Sequence, residues 1–197
     1  MMSAPLHLSV FASASPQWVK FTIAKQSGDL LLLSKVISEA MTVLPAYLSY
    51  LPHQEYLLCP IPARPQQILK RSLSPQHFFA EALADHFPKR FSHDVYHTLK
   101  RIKHTTPQTG LSRLKRLQAQ KNSLSFVPTL RRQLLGMLKS NYHSLVSAPN
   151  HSTAPKLPPL ILIDDVVTTG STLSEAHRAV QFAGFQVAVT LTLFQIE

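Results

Sequence analysis

Apolar residues with helical spacing mark the first long element of the chain. Residues 30–51 predict an amphipathic helix packed on a core, because apolar side chains recur on one face: Leu30, Leu33, Ile37 and Met41. Two charged residues and a proline make the segment too polar and too broken for a membrane span. We therefore expect no membrane insertion.

Shorter apolar runs predict the remaining elements and the fold class. The predicted strands cover residues 56–62, 93–99, 160–163 and 186–194, and the further predicted helices cover residues 75–87, 129–140 and 172–183. The end of the chain thus has a strand, helix, strand order. These patterns predict one α/β domain over residues 1–197, with a mostly parallel sheet flanked by helices.

One internal segment has no periodic spacing of apolar residues that would predict a helix or a strand. Residues 141–159 consist mainly of Pro, Ser, His and Asn, a composition typical of a linker or mobile loop. We expect it to interrupt the single domain before the strand that begins at Leu160.

Composition narrows the class of protein. The 197 residues are 45% hydrophobic, enough for one sizeable core, and Cys59 is the only cysteine. A disulfide or a cysteine-based zinc site within one chain is therefore excluded, and a reducing cytoplasm is the natural setting. The formal charge of +10 favours an anionic partner such as polyphosphate, nucleic acid or acidic lipid, although solubility alone is a sufficient explanation.

The first residues resemble a secretion signal only superficially. Ala12-Ser13-Ala14 follows an apolar run as a cleavage site would, but no Lys or Arg precedes it and polar residues interrupt the run. We expect no cleaved signal peptide and a cytoplasmic location.

The candidate chemistry lies after the apolar residues 160–163, which predict a strand buried on both faces. Asp164 and Asp165 follow at its carboxyl end, the edge where open α/β sheets bind ligands. A small hydroxyl-rich loop comes next, with a glycine that can turn backbone N–H groups toward an anion: Thr168, Thr169, Gly170, Ser171 and Thr172. Thr172 and Glu175 have the spacing of a capping box for the following helix.

These parts fit a ribose phosphate. The loop suits a 5′-phosphate, and two adjacent carboxylates suit the vicinal ribose hydroxyls. The alternative is that the acids are ordinary strand-end residues and the loop only a helix cap. We favour the ribose phosphate, because strand, acid pair, loop and helix occur together in this order.

The same order resembles the phosphoribosyl-pyrophosphate (PRPP) signature of type I phosphoribosyltransferases. Further matches resemble the ComF family of DNA-uptake (competence) proteins: Lys25-x-x-Gly28-Asp29, Pro60-Ile61-Pro62, Arg71 ahead of a helix, residues 101–112, Arg116, Asn122 and Phe126. The resemblance runs from about Lys25 to the end of the chain. It implies a type I phosphoribosyltransferase fold with a mobile hood.

The resemblance also implies a role for each site residue. Asp164 and Asp165 would bind the ribose, and residues 168–172 the 5′-phosphate. The basic loop after Pro62 would hold the diphosphate through Arg64, Lys70 and Arg71, while the hood would close over the reacting ribose through Arg101, Lys103 and Gln108. The catalytic candidates are Asp164, Asp165, Arg101 and Lys103. Mg²⁺ is implied by the substrate, because it commonly bridges phosphates.

Two functional hypotheses follow from the resemblance. The first is an enzyme that displaces diphosphate from PRPP with an unknown acceptor and is linked to DNA uptake in natural transformation. The second is a catalytically weak binding module that binds single-stranded DNA or competence proteins. The chain departs from the family in having no four-cysteine zinc module. The second hypothesis is favoured by another departure: Arg71-Ser72-Leu73-Ser74-Pro75 replaces Arg-Gly-Phe-Asn-Gln and loses its amide side chains.

Two further residue types invite functional readings that we do not favour. Among ten histidines, His93 and His97 share a helical spacing but fall in a predicted strand, so we expect no metal site there. Four phenylalanines are expected in the core rather than as platforms for nucleic-acid bases: Phe78, Phe79, Phe182 and Phe185.

Overall fold

The computed structural model describes residues 6–64, 74–91, 98–102, 118, 120–128 and 158–196. Its strands are β1 (Leu6–Ala12), β2 (Leu57–Pro60), β3 (Leu99–Arg101), β4 (Leu124–Phe126), β5 (Leu160–Val167) and β6 (Val187–Gln195). Its helices are α1 (Pro16–Ser27), α2 (Leu30–Leu48), α3 (Pro75–His86) and α4 (Ser171–Phe182).

Four strands form a parallel sheet in the order β1-β6-β5-β2, and β3 and β4 form a separate antiparallel ribbon. The prediction of an α/β fold with a mostly parallel sheet flanked by helices is confirmed. Most predicted boundaries lie within one or two residues of the observed ones, but β5 continues to Val167, four residues beyond the predicted end.

The sheet separates two apolar cores, and β5 contributes to both. Ile161 and Ile163 pack with α1, α2 and α3, whereas Leu160 and Leu162 pack with α4 and the β3–β4 ribbon. This division follows from the alternation of side chains along a strand, and it explains why residues 160–163 are all apolar.

The beginning of the chain supplies an edge strand and a helix that the sequence analysis did not predict. β1 pairs in parallel with β6, and its apolar residues Leu6, Leu8 and Val10 alternate with polar ones. α1 ends at Gly28, whose φ of 75° is left-handed, and Asp29 then caps α2 by accepting a hydrogen bond from the Leu32 N–H at 2.9 Å.

Three apolar residues expected in the core are exposed instead. Leu30, the first residue of α2, is 52% exposed, whereas the other three residues of the predicted face are buried. Phe182 is 89% exposed at the end of α4 and Phe78 is partly exposed on α3, so the core prediction was wrong for both. It is confirmed for Phe79 and Phe185.

Helix α2 is long and apolar enough to cross a membrane by length and composition alone, the one described helix of which this is true. A core helix passes the same test. Seven residues of α2 are buried, and the helix contacts α1, α3 and β1.

Several predicted elements lie outside the described residues. These are the helix at residues 129–140, all of the strand at residues 93–99 except Thr98 and Leu99, and all of residues 141–159 except Pro158 and Pro159. His93 and His97 lie there as well.

The β3–β4 ribbon is attached to α4 by a buried carboxylate. Glu175, 5% exposed, accepts hydrogen bonds from the Leu124 N–H at 3.2 Å and from Arg178, which in turn donates to the Leu124 carbonyl at 3.0 Å. Phe126 stacks on Phe185 at a centroid distance of 4.9 Å. The capping box predicted for Glu175 is therefore wrong, because the tertiary contact occupies this side chain.

Replacing Glu175 by Ala should lower the free energy of unfolding by about 2 kcal/mol, because a buried backbone N–H and a guanidinium would lose their acceptor. Urea unfolding measures the loss. The control is Glu81→Ala on α3, whose half-exposed carboxylate pairs with His77, and for which we expect less than about 0.5 kcal/mol. Equal losses in the two variants would contradict the role of Glu175.

Candidate functional site at the carboxyl edge of the sheet

The two acids lie where β5 extends past its neighbour. β2 ends at Pro60 opposite Ile163, and the Ile61 N–H makes one further bond to the Ile163 carbonyl at 2.8 Å. Asp164 and Asp165 come next and have no β2 partner, although β5 continues beside β6 to Val167. The acids therefore lie within β5 and not after its end. They nevertheless lie at the carboxyl edge of the sheet on the side of β2, because β2 has already ended.

Asp165 is 9% exposed and makes an ion pair with Lys25 of α1. The Lys25 ammonium also lies 5.3 Å from the centroid of the Phe21 ring, in the range of a cation–π contact. A cation from a different part of the chain therefore compensates the charge of Asp165.

Asp164 has a different environment. Its carboxylate accepts a hydrogen bond from the Asp165 N–H at 2.9 Å. Burial, followed by the neighbouring charge of Asp165, raises the pKa of Asp164 to about 8, although the bond from the Asp165 N–H and the charge of Lys25 oppose the shift. The two adjacent acids are therefore not equivalent.

The loop after β5 exposes backbone to the same edge. Gly170 has a φ of +70°, and a Cβ built on it would have no heavy atom within 4 Å, so the space beside it is open. The Thr169 hydroxyl donates to the Ser171 hydroxyl at 3.2 Å, and Thr168 is exposed. This places the five predicted loop residues next to the acid pair.

Helix α4 begins at Ser171, with Gly170 as its N-cap residue. The prediction that Thr172 caps the helix is wrong, because Thr172 lies within the first turn. No side chain of the described residues caps this end of α4. An anion beside Gly170 would therefore face N–H groups and the positive end of the helix dipole.

Arg101 approaches the acid pair from β3. Its Nε donates to the Pro62 carbonyl at 2.9 Å, while its Nη1 is buried and has no hydrogen-bond partner in the described part of the chain. Burial lowers the pKa of Arg101, the charge of Arg64 adds to this, and Asp164 opposes it. Arg64, Arg101 and Asp164 therefore lie within electrostatic reach of each other.

The structure thus brings Arg64, Arg101, both acids and the loop to one edge of the sheet. Arg101 lies in strand β3 rather than in a loop. Lys70, Arg71, Lys103 and Gln108 lie outside the described residues.

Two residues of the site had no predicted role. Lys25 was part of the family resemblance, but its partner Asp165 lies 140 positions away. Gln76, buried in the first turn of α3, donates from Nε2 to the Ile61 carbonyl at 2.9 Å. This bond connects the first turn of α3 to the end of β2.

The arrangement offers carboxylate acceptors, exposed backbone donors and two guanidinium groups around open space. Within the described ranges, no group of three or more His, Cys, Asp or Glu side chains is placed to hold a metal ion. No family model matches the chain, and no curated protein matches it significantly.

The raised pKa of Asp164 predicts a specific dependence of stability on pH. A carboxyl whose pKa is higher in the folded than in the unfolded state contributes stability at low pH, and this is lost as the pH rises toward about 8. Asp164→Asn removes this loss, so its stability relative to the parent should rise by on the order of 1–3 kcal/mol between pH 4 and 8.

Urea unfolding of both proteins at several pH values measures this difference. Asp85→Asn, at an exposed acid of α3, is the control and should show no such trend. If the difference in the free energy of unfolding between Asp164→Asn and the parent stays constant from pH 4 to 8, the raised pKa of Asp164 is contradicted.

Proposed function

We propose that this edge of the sheet binds PRPP and that the chain is a phosphoribosyltransferase of the ComF type, with the type I phosphoribosyltransferase fold. The observation that carries the proposal is the contiguity of the acid pair, the open left-handed Gly170 and the uncapped start of α4. The four-strand parallel sheet with helices on both sides is compatible with this fold.

Each part of the edge suits one part of the substrate. The carboxyl groups of Asp164 and Asp165 accept hydrogen bonds from the two vicinal hydroxyls of the ribose. These hydroxyls lie on adjacent carbons and so suit two adjacent acceptors. The 5′-phosphate takes the open space beside Gly170 and receives N–H donors from the first turn of α4. Ribose and phosphate thus occupy neighbouring positions, as their covalent linkage requires.

Arg101 supports a third subsite, for the diphosphate. A buried guanidinium nitrogen without a partner is costly, and a phosphate oxygen would satisfy it. Arg64 lies close enough to repel Arg101, and two guanidinium groups held together are stabilised by an anion of high charge. Both side chains lie at the end of β2, beside the acids.

Mg²⁺ is proposed to enter with the substrate. It prefers oxygen ligands and is commonly held by phosphates together with only one or two protein groups. The diphosphate of PRPP supplies such phosphate oxygens. When bound there, the ion neutralises part of the charge of the leaving group.

In the proposed reaction, the bond between C1 of the ribose and the diphosphate breaks as an acceptor nucleophile attacks C1. The ribose becomes cation-like in the transition state, and the leaving diphosphate takes up the electron pair. Positioning by the acid pair and neutralisation of the diphosphate by Arg101 and Arg64 would lower this barrier.

The second candidate is a binding module that retains PRPP affinity without turnover and binds single-stranded DNA or competence proteins. Its support is the net charge of +10 and the altered segment at the start of α3, where Ser74 is the N-cap residue and Pro75 the first helical residue. Both candidates share the PRPP site and a cytoplasmic setting.

The PRPP proposal predicts two classes of variant in calorimetric titrations with Mg²⁺. Titrated at pH 9, above the raised pKa of about 8 of Asp164, Asp164→Asn and Asp165→Asn should each weaken binding of both PRPP and ribose 5-phosphate by roughly 10- to 100-fold, because the ribose loses a charged acceptor. Arg101→Gln should weaken PRPP binding while ribose 5-phosphate binding changes little, because only PRPP carries the diphosphate.

Gly170→Val should abolish binding of both ligands, since it fills the space beside the loop and strains a left-handed residue. Asp85→Asn is the matched acid-to-amide control. Parent-like binding by Asp164→Asn, Asp165→Asn and Gly170→Val, or no PRPP binding by the parent, would sink the proposal.

A separate measurement decides between enzyme and binding module. An enzyme should release diphosphate from PRPP when a panel of candidate acceptors is supplied, and Arg101→Gln should abolish the release. A module should release none while binding single-stranded DNA with an affinity that falls steeply with salt. A DNA affinity that does not change with ionic strength would contradict a role for the positive charge in DNA binding.

A further inference from the structure

We propose that Lys25 is a positioning residue for the acid pair: through its ion pair it orients the Asp165 carboxylate as a fixed acceptor for a ribose hydroxyl. The inference rests on the proposed function, because its purpose is to prepare the ribose subsite. Neither the ribose phosphate motif nor the loop contains this residue.

The backbone around Lys25 fixes where its ammonium lies. Lys25 belongs to the last turn of α1, which ends at Gly28, and Asp29 immediately begins α2. The end of α1 therefore cannot shift without disturbing the cap of α2. Phe21, fully buried one turn earlier, lies beside the lysine ammonium.

The ring of Phe21 is itself fixed in the first core. It packs against Phe194 of β6 at a centroid distance of 4.8 Å and against Trp18 at 6.0 Å. The Lys25 side chain thus passes an immobile aromatic surface before it reaches Asp165, and its side chain is only 24% exposed. This restriction favours a defined ion pair over a fluctuating surface contact.

The acid pair needs a cation because two neighbouring carboxylates repel each other and lose solvation together. Successive residues of a strand point to opposite faces, and the charged groups follow this division. Lys25 of α1 contacts Asp165 and its charge also lowers the pKa of Asp164, whereas Asp164 raises the pKa of Arg101 on β3. Among the described residues, Lys25 is the cation in direct contact with the pair.

Loss of Lys25 would leave Asp165 nearly buried without its cation. The pair would then keep protons to higher pH, and a protonated carboxyl is a poorer acceptor for a ribose hydroxyl. PRPP affinity should consequently fall at neutral pH and partly recover as the pH is raised.

The test compares three variants of the full chain. Lys25→Met removes the charge and keeps the length, Lys25→Arg keeps the charge, and Lys20→Met is the matched control. Lys20 lies on the same helix and pairs with Glu39 at 2.7 Å, away from the acids. Circular dichroism verifies folding, and Lys25→Gln replaces Lys25→Met if the latter does not fold.

The first measurement needs no ligand. The carboxyl carbons of Asp164 and Asp165 are followed by NMR during a pH titration of the free protein. In Lys25→Met, the titration midpoints of the pair should move up by about 1 pH unit or more, whereas Lys25→Arg and Lys20→Met should leave them near the parent values. Unchanged midpoints in Lys25→Met would overturn the inference.

The second measurement is PRPP affinity between pH 6 and 9. Lys25→Met should bind about tenfold more weakly at pH 7 and regain affinity with rising pH, and Lys25→Arg should restore the parent profile. In an Asp165→Asn background, Lys25→Met should cause little further loss. A uniform loss at every pH, not restored by Arg, would show a merely structural role and overturn the inference.

The two measurements separate this inference from the proposed function. Shifted midpoints in a protein that does not bind PRPP would retain the positioning role of Lys25 and refute the PRPP site. Normal midpoints in a protein that binds PRPP would retain the site and refute the role of Lys25.

Discussion

Strand β5 is covered on both faces, and the rest of the site depends on what this burial demands of the two carboxylates that follow its apolar residues. A buried charge must be paired, hydrogen-bonded or neutralised. The two acids are stabilised in different ways: Asp165 pairs with Lys25, whereas the pKa of Asp164 is raised to about 8. Adjacent positions in one strand thereby acquire different chemistry.

The partners of the acids come from both layers that cover the sheet. Lys25 is supplied by α1 in the first core, and Arg101 by the β3–β4 ribbon in the second. The ribbon is held in turn by Glu175 of α4, the same helix whose first turn faces the open space beside Gly170. Packing of α4 on the sheet therefore positions the loop directly and Arg101 indirectly.

These constraints are consistent with the proposed site for a highly charged anion with a sugar attached. The charge of Arg64 lowers the pKa of Arg101, and Nη1 of Arg101 is buried without a hydrogen-bond partner among the described residues. In the proposed complex, phosphate oxygens would accept from this nitrogen. The carboxylates next to it would be unfavourable for a bare polyphosphate but suit one joined to hydroxyl groups, which is the combination found in PRPP.

The sequence by itself determined the elements whose signals are contiguous: the α/β class, the buried strand, the acid pair, and the loop leading into α4. It also contained the alternation of Leu6, Leu8 and Val10 with polar residues that is typical of a strand, but the sequence analysis did not predict β1 from it. Only the tertiary structure decided that Lys25 meets Asp165 across 140 positions, that Glu175 binds the ribbon instead of capping its own helix, and that Phe182 lies in solvent. A local pattern indicates which side chains of one segment are buried. These three outcomes depend instead on which distant segment packs beside it in the folded chain.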